Sequence, residues 1–571
     1  MAITRRGKLG IGLLVLFGAL LLGIRLSRNW IARKALERVA KVAEAGGYQV
    51  TFGDVDFSLL GRHIRVADLA VTPALDSLAL DSSSTFSIQA AAIDLRGVDV
   101  LALIRHKVLH VGHIRIHAPQ VEHTFASTVS SRTKAGPTRP DEEQKGDRTG
   151  LSVLRADTIQ ITNAKGHSQD MHKDHPALAV GQLDVLLTGA GVSIGDNGKP
   201  SLMLNGADIR MRDTQAHLEP FYHLHIDSLW LGMPQDTAVI FGLSFTPDVN
   251  ARNYREHVKY QVELYQARVD TILLSGFDLA ARLDAGILRA QRLHLAGAVV
   301  EIHRDKSIPM RPDPPRKPLL AETLQGLTNP IALDSITIRR SRITYHERLV
   351  KGANYGSLTF ADVHGTLTGL HNMRPDGAVA LHLDGRARVW DKARAHLDLR
   401  MTKGSTPTQI ELHVELRELP AVELSRMTDD LVHVKATQGW IHRVDMRMRG
   451  DDRQGSATVE MHYDSLKIEL APTVQYSGLL THLANTVIRS TNMPEAKGYR
   501  VGKSAVERRQ EAGIFNYLWL GLREGMMDVM LPKSLLEQMN KKKNKKVQKA
   551  NARTNADQPE GKSGKGNEQV R

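Results

Sequence analysis

The residues best equipped for chemistry in this 571-residue chain are its 25 histidines. Their tightest cluster is the run SQDMHKDHP, in which Asp170, His172, Asp174 and His175 offer the imidazole and carboxylate ligands that hold zinc. A metal centre needs such ligands fixed in geometry. This run is polar and has no helical spacing, so it reads as a solvated loop, and neither a metal nor any other cofactor is expected. His110, His113 and His117, like His223 and His225, stand between or beside the apolar residues of alternating segments and are expected to face water. Asp157, Asp227 and Asp334 sit near the starts or ends of similar segments, where turn chemistry accounts for them. No glycine-rich phosphate cradle, G-x-S-x-G elbow or H-E-x-x-H helix occurs. The absence of cysteine removes thiolate nucleophiles, iron–sulfur clusters and Cys-based zinc sites. The chain reads as a non-enzyme.

The elements that position these residues are strands. From Tyr48 onward apolar residues recur nearly every second position: Val50, Phe52, Val55 and Phe57, then Tyr222, Leu224 and Ile226, then Ile410, Leu412, Val414 and Leu416. Strict alternation gives a sheet one apolar and one wet face. A loose internal repeat links VGHIRIHAPQVE at Val111, ADTIQITNAKGH at Ala156, AQRLHLAGAVVEIH at Ala290 and LDSITIRRSRITYHE at Leu333. Each reads as two apolar residues two apart, a short turn-like break, and often a second alternating run, so repeated two-strand units in a long meander are expected. Two segments interrupt the pattern. Residues 127–150 are polar and rich in Pro and Gly, and read as a flexible loop; residues 307–318 carry five prolines and read as an extended crossing. Helical spacing returns around Leu479–Ile488 and from Val506 to Leu522.

The formal net charge is +14, and half of it lies in the tail from Lys541 to Arg571, with ten Lys/Arg against three acids. Arg339, Arg340, Arg342, Arg443, Arg447 and Arg449 alternate with apolar residues, which puts many of them on the wet face. Few aromatics lie among them for bases to stack on, so nucleic acid is not expected as a partner. At the amino end Arg5, Arg6 and Lys8 precede the uncharged run Leu9–Ile24, and Arg25 and Arg28 follow it. That profile reads as a retained membrane anchor with Leu13, Leu14, Leu16, Phe17, Leu20 and Leu21 in lipid. Six Lys/Arg after the run against three before it leave the orientation open. The expected organisation is a transmembrane anchor at 1–28 and an amphipathic helix at 29–46. A first β part at 47–306 and the crossing at 307–318 follow, then a second β part at 319–470, a helical cap at 471–535 and a disordered basic tail at 536–571.

The anchor Leu9–Ile24, the passage GYQVTFGDVDFSLLGRHIRVADLAV from Gly47 to Val71, and VKATQGWIHRVDMRMRGDDRQGSATVEMHYDSLKIEL from Val434 to Leu470 resemble the AsmA-like family of envelope proteins. That family belongs to the wider repeating β-groove group with TamB-like relatives. Gly439, Gly450, Gly455, Tyr463 and Leu466 fit its C-terminal pattern of strand, turn and strand. The loop at 127–150 and the polylysine tail depart from it. The resemblance implies a single inner-membrane anchor, a periplasmic body, and a role in outer-membrane biogenesis or homeostasis by carrying phospholipid in a hydrophobic groove. It makes phospholipid and the inner membrane the expected partners, with other envelope proteins at the C-terminal end. The expected fold is an elongated, curved, mainly antiparallel sheet, with Leu224, Ile226, Leu293, Leu295, Ile336, Ile338, Leu412 and Val414 lining the groove. The alternative is a non-catalytic structural or tethering protein whose sheet closes over its own core.

Overall fold

The computed structural model describes residues 48–58, 62–73, 84–99, 108–126, 153–194, 200–349, 354–373, 377–404, 406–432, 434–470 and 489–531. The anchor, the helix expected at 29–46, the loop at 127–150, the helical stretch around 479–488 and the basic tail lie outside them. No helix among the described residues is long and apolar enough to cross a membrane. The fold is mainly β, a large and mostly antiparallel sheet with few short helices. The chain divides into two units. One comprises Met1–Arg304, Leu324–Thr344 and Asp362–Leu381; the other comprises Asp305–Thr323, Tyr345–Ala361 and His382–Arg571.

In the first unit β1 (Tyr48–Thr51) and β2 (Val55–Ser58) lie end to end along β3 (His63–Pro73), which pairs antiparallel with β4 (Ser84–Asp99). Two further strands, β5 (Val108–His117) and β6 (Gln120–Phe125), share the other edge of β4. Both run parallel to β7 (Val153–Asp170). The break at Ala118–Pro119 is therefore not a turn: the chain continues in one direction, where the sequence suggested paired strands joined by short breaks. β7 starts beside the start of β5, Val153 pairing with Val108, and parallel neighbours need a long connection.

The sheet proceeds antiparallel through β8 (Pro176–Ile194) with its short partner β9 (Pro200–Met203), then β10 (Gly206–Leu218), β11 (Tyr222–Met233), β12 (Thr237–Pro247) and β13 (Glu263–Ser275). The first arrangement then recurs. β13 is opposed by β14 (Leu288–Ala296) and β15 (Val299–Asp305), and β14 runs parallel to β16 (Ile331–Arg348). The Pro-rich segment 307–318 lies in this second crossover, followed by α1 (Leu320–Gln325). The two joints match bond for bond. Ala118 N donates to Thr162 O at 2.8 Å and Lys165 N to Pro119 O at 2.9 Å; Gly297 N donates to Arg339 O at 3.1 Å and Arg342 N to Ala298 O at 2.7 Å. The four repeated sequence segments are thus the two broken strands and their two parallel neighbours.

The breaks form a crease across the sheet, marked by left-handed residues: Asp68 (φ 51°), Ala118 (φ 43°), Asn163 (φ 54°), Asp213 (φ 48°), Gly242 (φ 62°), Gly297 (φ 67°) and Arg340 (φ 49°). Irregularities of this kind bend a strand and increase its twist. In β3 the apolar phase changes across the crease, from Ile64 and Val66 to Leu69, yet all three are buried while Arg65 and Asp68 are exposed. One face therefore stays apolar through the bend. A side chain at Gly242 or Gly297 would fall within 2.0 Å of the carboxylate of Asp227 or Asp270, so glycine there serves both the left-handed backbone and the space.

Three strands, β16, β17 (Gly356–His371) and β18 (Val379–Val389), have residues in both units. The second unit then runs as a meander: β19 (Ala393–Lys403), β20 (Gln409–Pro420), β21 (Val434–Gly450), β22 (Gln454–Leu470) and β23 (Gly502–Glu507), each antiparallel to the next. The strand–turn–strand expected at Val434–Leu470 is β21 and β22. Helical structure does not begin at Val506: Gly502–Glu507 pairs with Gln454–Val459, and α2 (Ile514–Met530) starts after it. That helix covers β22 and β23, burying Tyr517, Leu518, Gly521, Gly525 and Val529.

Candidate functional site

The registers align apolar residues into ladders crossing the first unit. One passes from Val66 through Ile93, Ile116, Ile161, Val185 and Ile209. It continues through Leu231, Ala238, Leu274, Leu293 and Ile336. A second joins Leu183, Met211 and Leu229 to Ile240, Ile272, Leu295 and Ile338. Beyond the crease Ile226 stands between Thr214 and Leu243, and Leu224 between Ala216 and Phe245. The sequence reading reached two members of each ladder as groove candidates, Leu293 and Ile336 in the first and Leu295 and Ile338 in the second. Their neighbours Leu183, Met211, Ile240 and Ile272 carry the same alternation but lack the short repeat that drew attention to the others.

The two units differ in cover. In the second ladder no side chain is buried; all seven keep partial access to solvent. The first ladder is better covered toward β14, where Leu231, Leu274, Leu293 and Ile336 pack against a small cluster of Phe277, Ala290 and Leu333. The second unit has a closed core instead: Ile410, Ile441, Met446, Met448, Val459 and Met461 are at most 1% exposed. Leu412 belongs to that core at 4% exposure, so it is corrected from groove lining to packing; Val414 two residues on is only partly covered. Partly accessible apolar side chains therefore run across seven neighbouring strands.

The opposite face is polar. The row beside the first ladder reads Asp56, Arg65, Asp94, Arg115 and Gln160, and its apolar exception is Leu186. Histidines, among them His110 and His117 of those expected to face water, are paired with carboxylates across strands. His63 and His117 both donate to Asp94 at 3.1 Å, His110 to Asp157 at 2.7 Å, His396 to Asp384 at 2.8 Å and His413 to Asp445 at 3.1 Å. His294 Nδ1 bonds the Thr337 hydroxyl at 2.7 Å, on the face away from Leu293 and Leu295. Burial opposes ionisation of Asp94, but His63, Arg65 and His117 outweigh it and hold its carboxyl below the ordinary range; His413, Arg443 and Arg447 do the same for Asp445.

A carboxylate with a depressed folded-state pKa contributes stability in full above its unfolded value, about 3.9. That contribution is lost as pH falls through the lower folded value. Urea unfolding of the full chain is therefore expected to show stability falling below about pH 4. Asp94→Asn, less stable than the native chain at neutral pH, should lose less on acidification; equal acid losses would remove Asp94 from this account.

The run proposed as a zinc candidate forms the turn between β7 and β8. Asp170 is buried and accepts from the His172 backbone N–H at 3.1 Å, while Asp174 is exposed. No three of Asp170, His172, Asp174 and His175 bring ligand atoms within 4.8 Å of one another. His175 instead stacks on His217 with ring centroids 3.9 Å apart. Asp157, Asp227 and Asp334 are exposed; Asp157 pairs with His110 and Asp334 with His371 on a neighbouring strand, while Asp227 lies 3.4 Å from His225 in its own strand.

The fold and this face define a mainly β chain with a large, mostly antiparallel sheet, one side of which is apolar and incompletely covered. No protein-family model matches the chain, and no curated protein matches it in sequence.

Proposed function

We propose that this protein carries phospholipid along the apolar face of its first unit, without catalysis. The observation that carries the reading is the ladder from Leu183 to Ile338: seven neighbouring strands contribute an apolar side chain, and none is buried. Apolar contact is non-directional, so acyl chains can shift from strand to strand without breaking specific bonds. The wet reverse face, with its His–Asp pairs, keeps such a sheet in water. Together with the likeness to AsmA-like proteins, this supports an inner-membrane anchor at the amino end, a periplasmic body, and a part in outer-membrane homeostasis. The structural or tethering reading draws on the closed core of the second unit, and it fits that unit taken alone.

The test is transfer of a fluorescent phospholipid between vesicles by the full chain. Leu229→Asp with Ile240→Asp places two charges in the ladder, each costing several kcal/mol against an acyl chain. Transfer is expected to fall at least about tenfold. A folded double variant that transfers at the native rate would leave the tethering reading in possession.

A further inference from the structure

Helix α2 has two apolar faces. Tyr517, Leu518, Gly521, Gly525 and Val529 are buried against β22 and β23. On the other side Phe515 is 75% exposed and Trp519, one turn on, is 50% exposed, and Leu522 and Met526 continue their stripe at i+7 and i+11. A helix that is apolar on both sides is normally covered on both.

The sequence just beyond the helix supplies the second observation. Residues 532–549 contain Lys533, Lys541, Lys542, Lys543, Lys545, Lys546 and Lys549, with Glu537 as the sole acid. We propose that the Phe515–Trp519 face docks on an anionic lipid surface, its aromatic side chains entering the interface while the lysines that follow meet the head groups. Trp and Phe favour the boundary between head groups and acyl chains, and a polybasic segment beside an apolar helix face is the arrangement that binds anionic membranes.

Two other occupants fit less well. The aromatic pair offers on the order of 250 Å² of accessible surface, against the ~800 Å² per partner of a stable protein interface. A nucleic-acid reader would interleave Arg or Lys with its aromatics, whereas this helix carries Arg523 beside Glu524, together with Asp528. The inference does not depend on lipid passing along the first unit.

The experiment holds the full chain in phosphatidylcholine nanodiscs and measures capture of labelled vesicles of phosphatidylcholine with or without phosphatidylglycerol. Capture is expected only with phosphatidylglycerol, and to weaken with salt. Phe515→Ser with Trp519→Ser should reduce it about tenfold or more, and Lys541→Gln, Lys542→Gln and Lys543→Gln together should also reduce it. Both replaced aromatics are exposed, so thermal unfolding should be unchanged. The transfer defect of the Leu229→Asp, Ile240→Asp variant tests the first unit separately, and that variant should still capture vesicles. Equal capture by neutral vesicles, undiminished capture by the aromatic variant, or a loss in that variant of self-association or nucleic-acid binding instead, would each overturn the proposal.

Discussion

A photoreactive side chain at Leu295 is expected to capture phospholipid in intact cells, and the same side chain at His294 is expected to capture none. The two positions are adjacent in β14, so expression, folding and depth in the protein are shared and only the face differs. Leu295 pairs with Ile272 on one side and Ile338 on the other, within the ladder that lacks cover. His294 points the opposite way and bonds the Thr337 hydroxyl. An acyl chain entering beside Leu295 meets hydrocarbon on both neighbouring strands, at about 25 cal/mol for each Å² of apolar surface removed from water. Mass spectrometry of the adducts is the readout. Lipid at both positions would mean nonspecific contact with membrane, and lipid at neither, in folded protein, would favour the tether.

The second large effect is expected at Gly525. The α2 helix approaches β22 so closely there that a β-carbon would lie 2.3 Å from a Val459 methyl, while the Gly525 carbonyl leaves no room for a side chain on Gly502. Gly525→Leu must push the helix off the sheet and open the core holding Met446, Met448 and Met461. Overpacking of this kind costs about 1–3 kcal/mol, and sometimes more. Hydrogen exchange over residues 502–530 should accelerate markedly, with a lower melting temperature for the second unit. Gly513→Ser in the same helix is the control. A β-carbon on that glycine would meet nothing within 4 Å, and serine is at least as good at the start of a helix, so its stability should be unchanged or slightly raised. Equal behaviour of the two variants would mean the close approach does not hold the cap.

Much of this molecule was legible in its residues because alternation is local. A period of two from Tyr222 to Ile226 requires neither partner nor context to indicate strand and to sort Leu224 and Ile226 from His223 and His225. The same local signal marked the Pro-rich segment at 307–318, which carries neither strand nor helix. What the breaks meant was not local. Ala118–Pro119 and Gly297–Ala298 look like turns in sequence, but whether the chain reverses there depends on which strand it finds alongside. The structure places a parallel neighbour some 43 to 45 residues later in both cases.

The same reason explains the other differences. Val506 fits a helical spacing, yet its backbone groups are taken by β22, 51 residues earlier in the register at Gly455. His63, Asp94 and His117 become one hydrogen-bonded group only because three strands align. Leu412 and Leu295 both belong to alternating runs, with Ile410 two residues before the first and Leu293 two residues before the second. One is sealed in the core of the second unit, opposite Met448, and the other remains accessible, because burial is set by what lies over a side chain rather than by its own type. Alternation along the chain is enough to dictate a sheet with an apolar face; where that face is closed and where it stays open follows from the packing of distant segments over it.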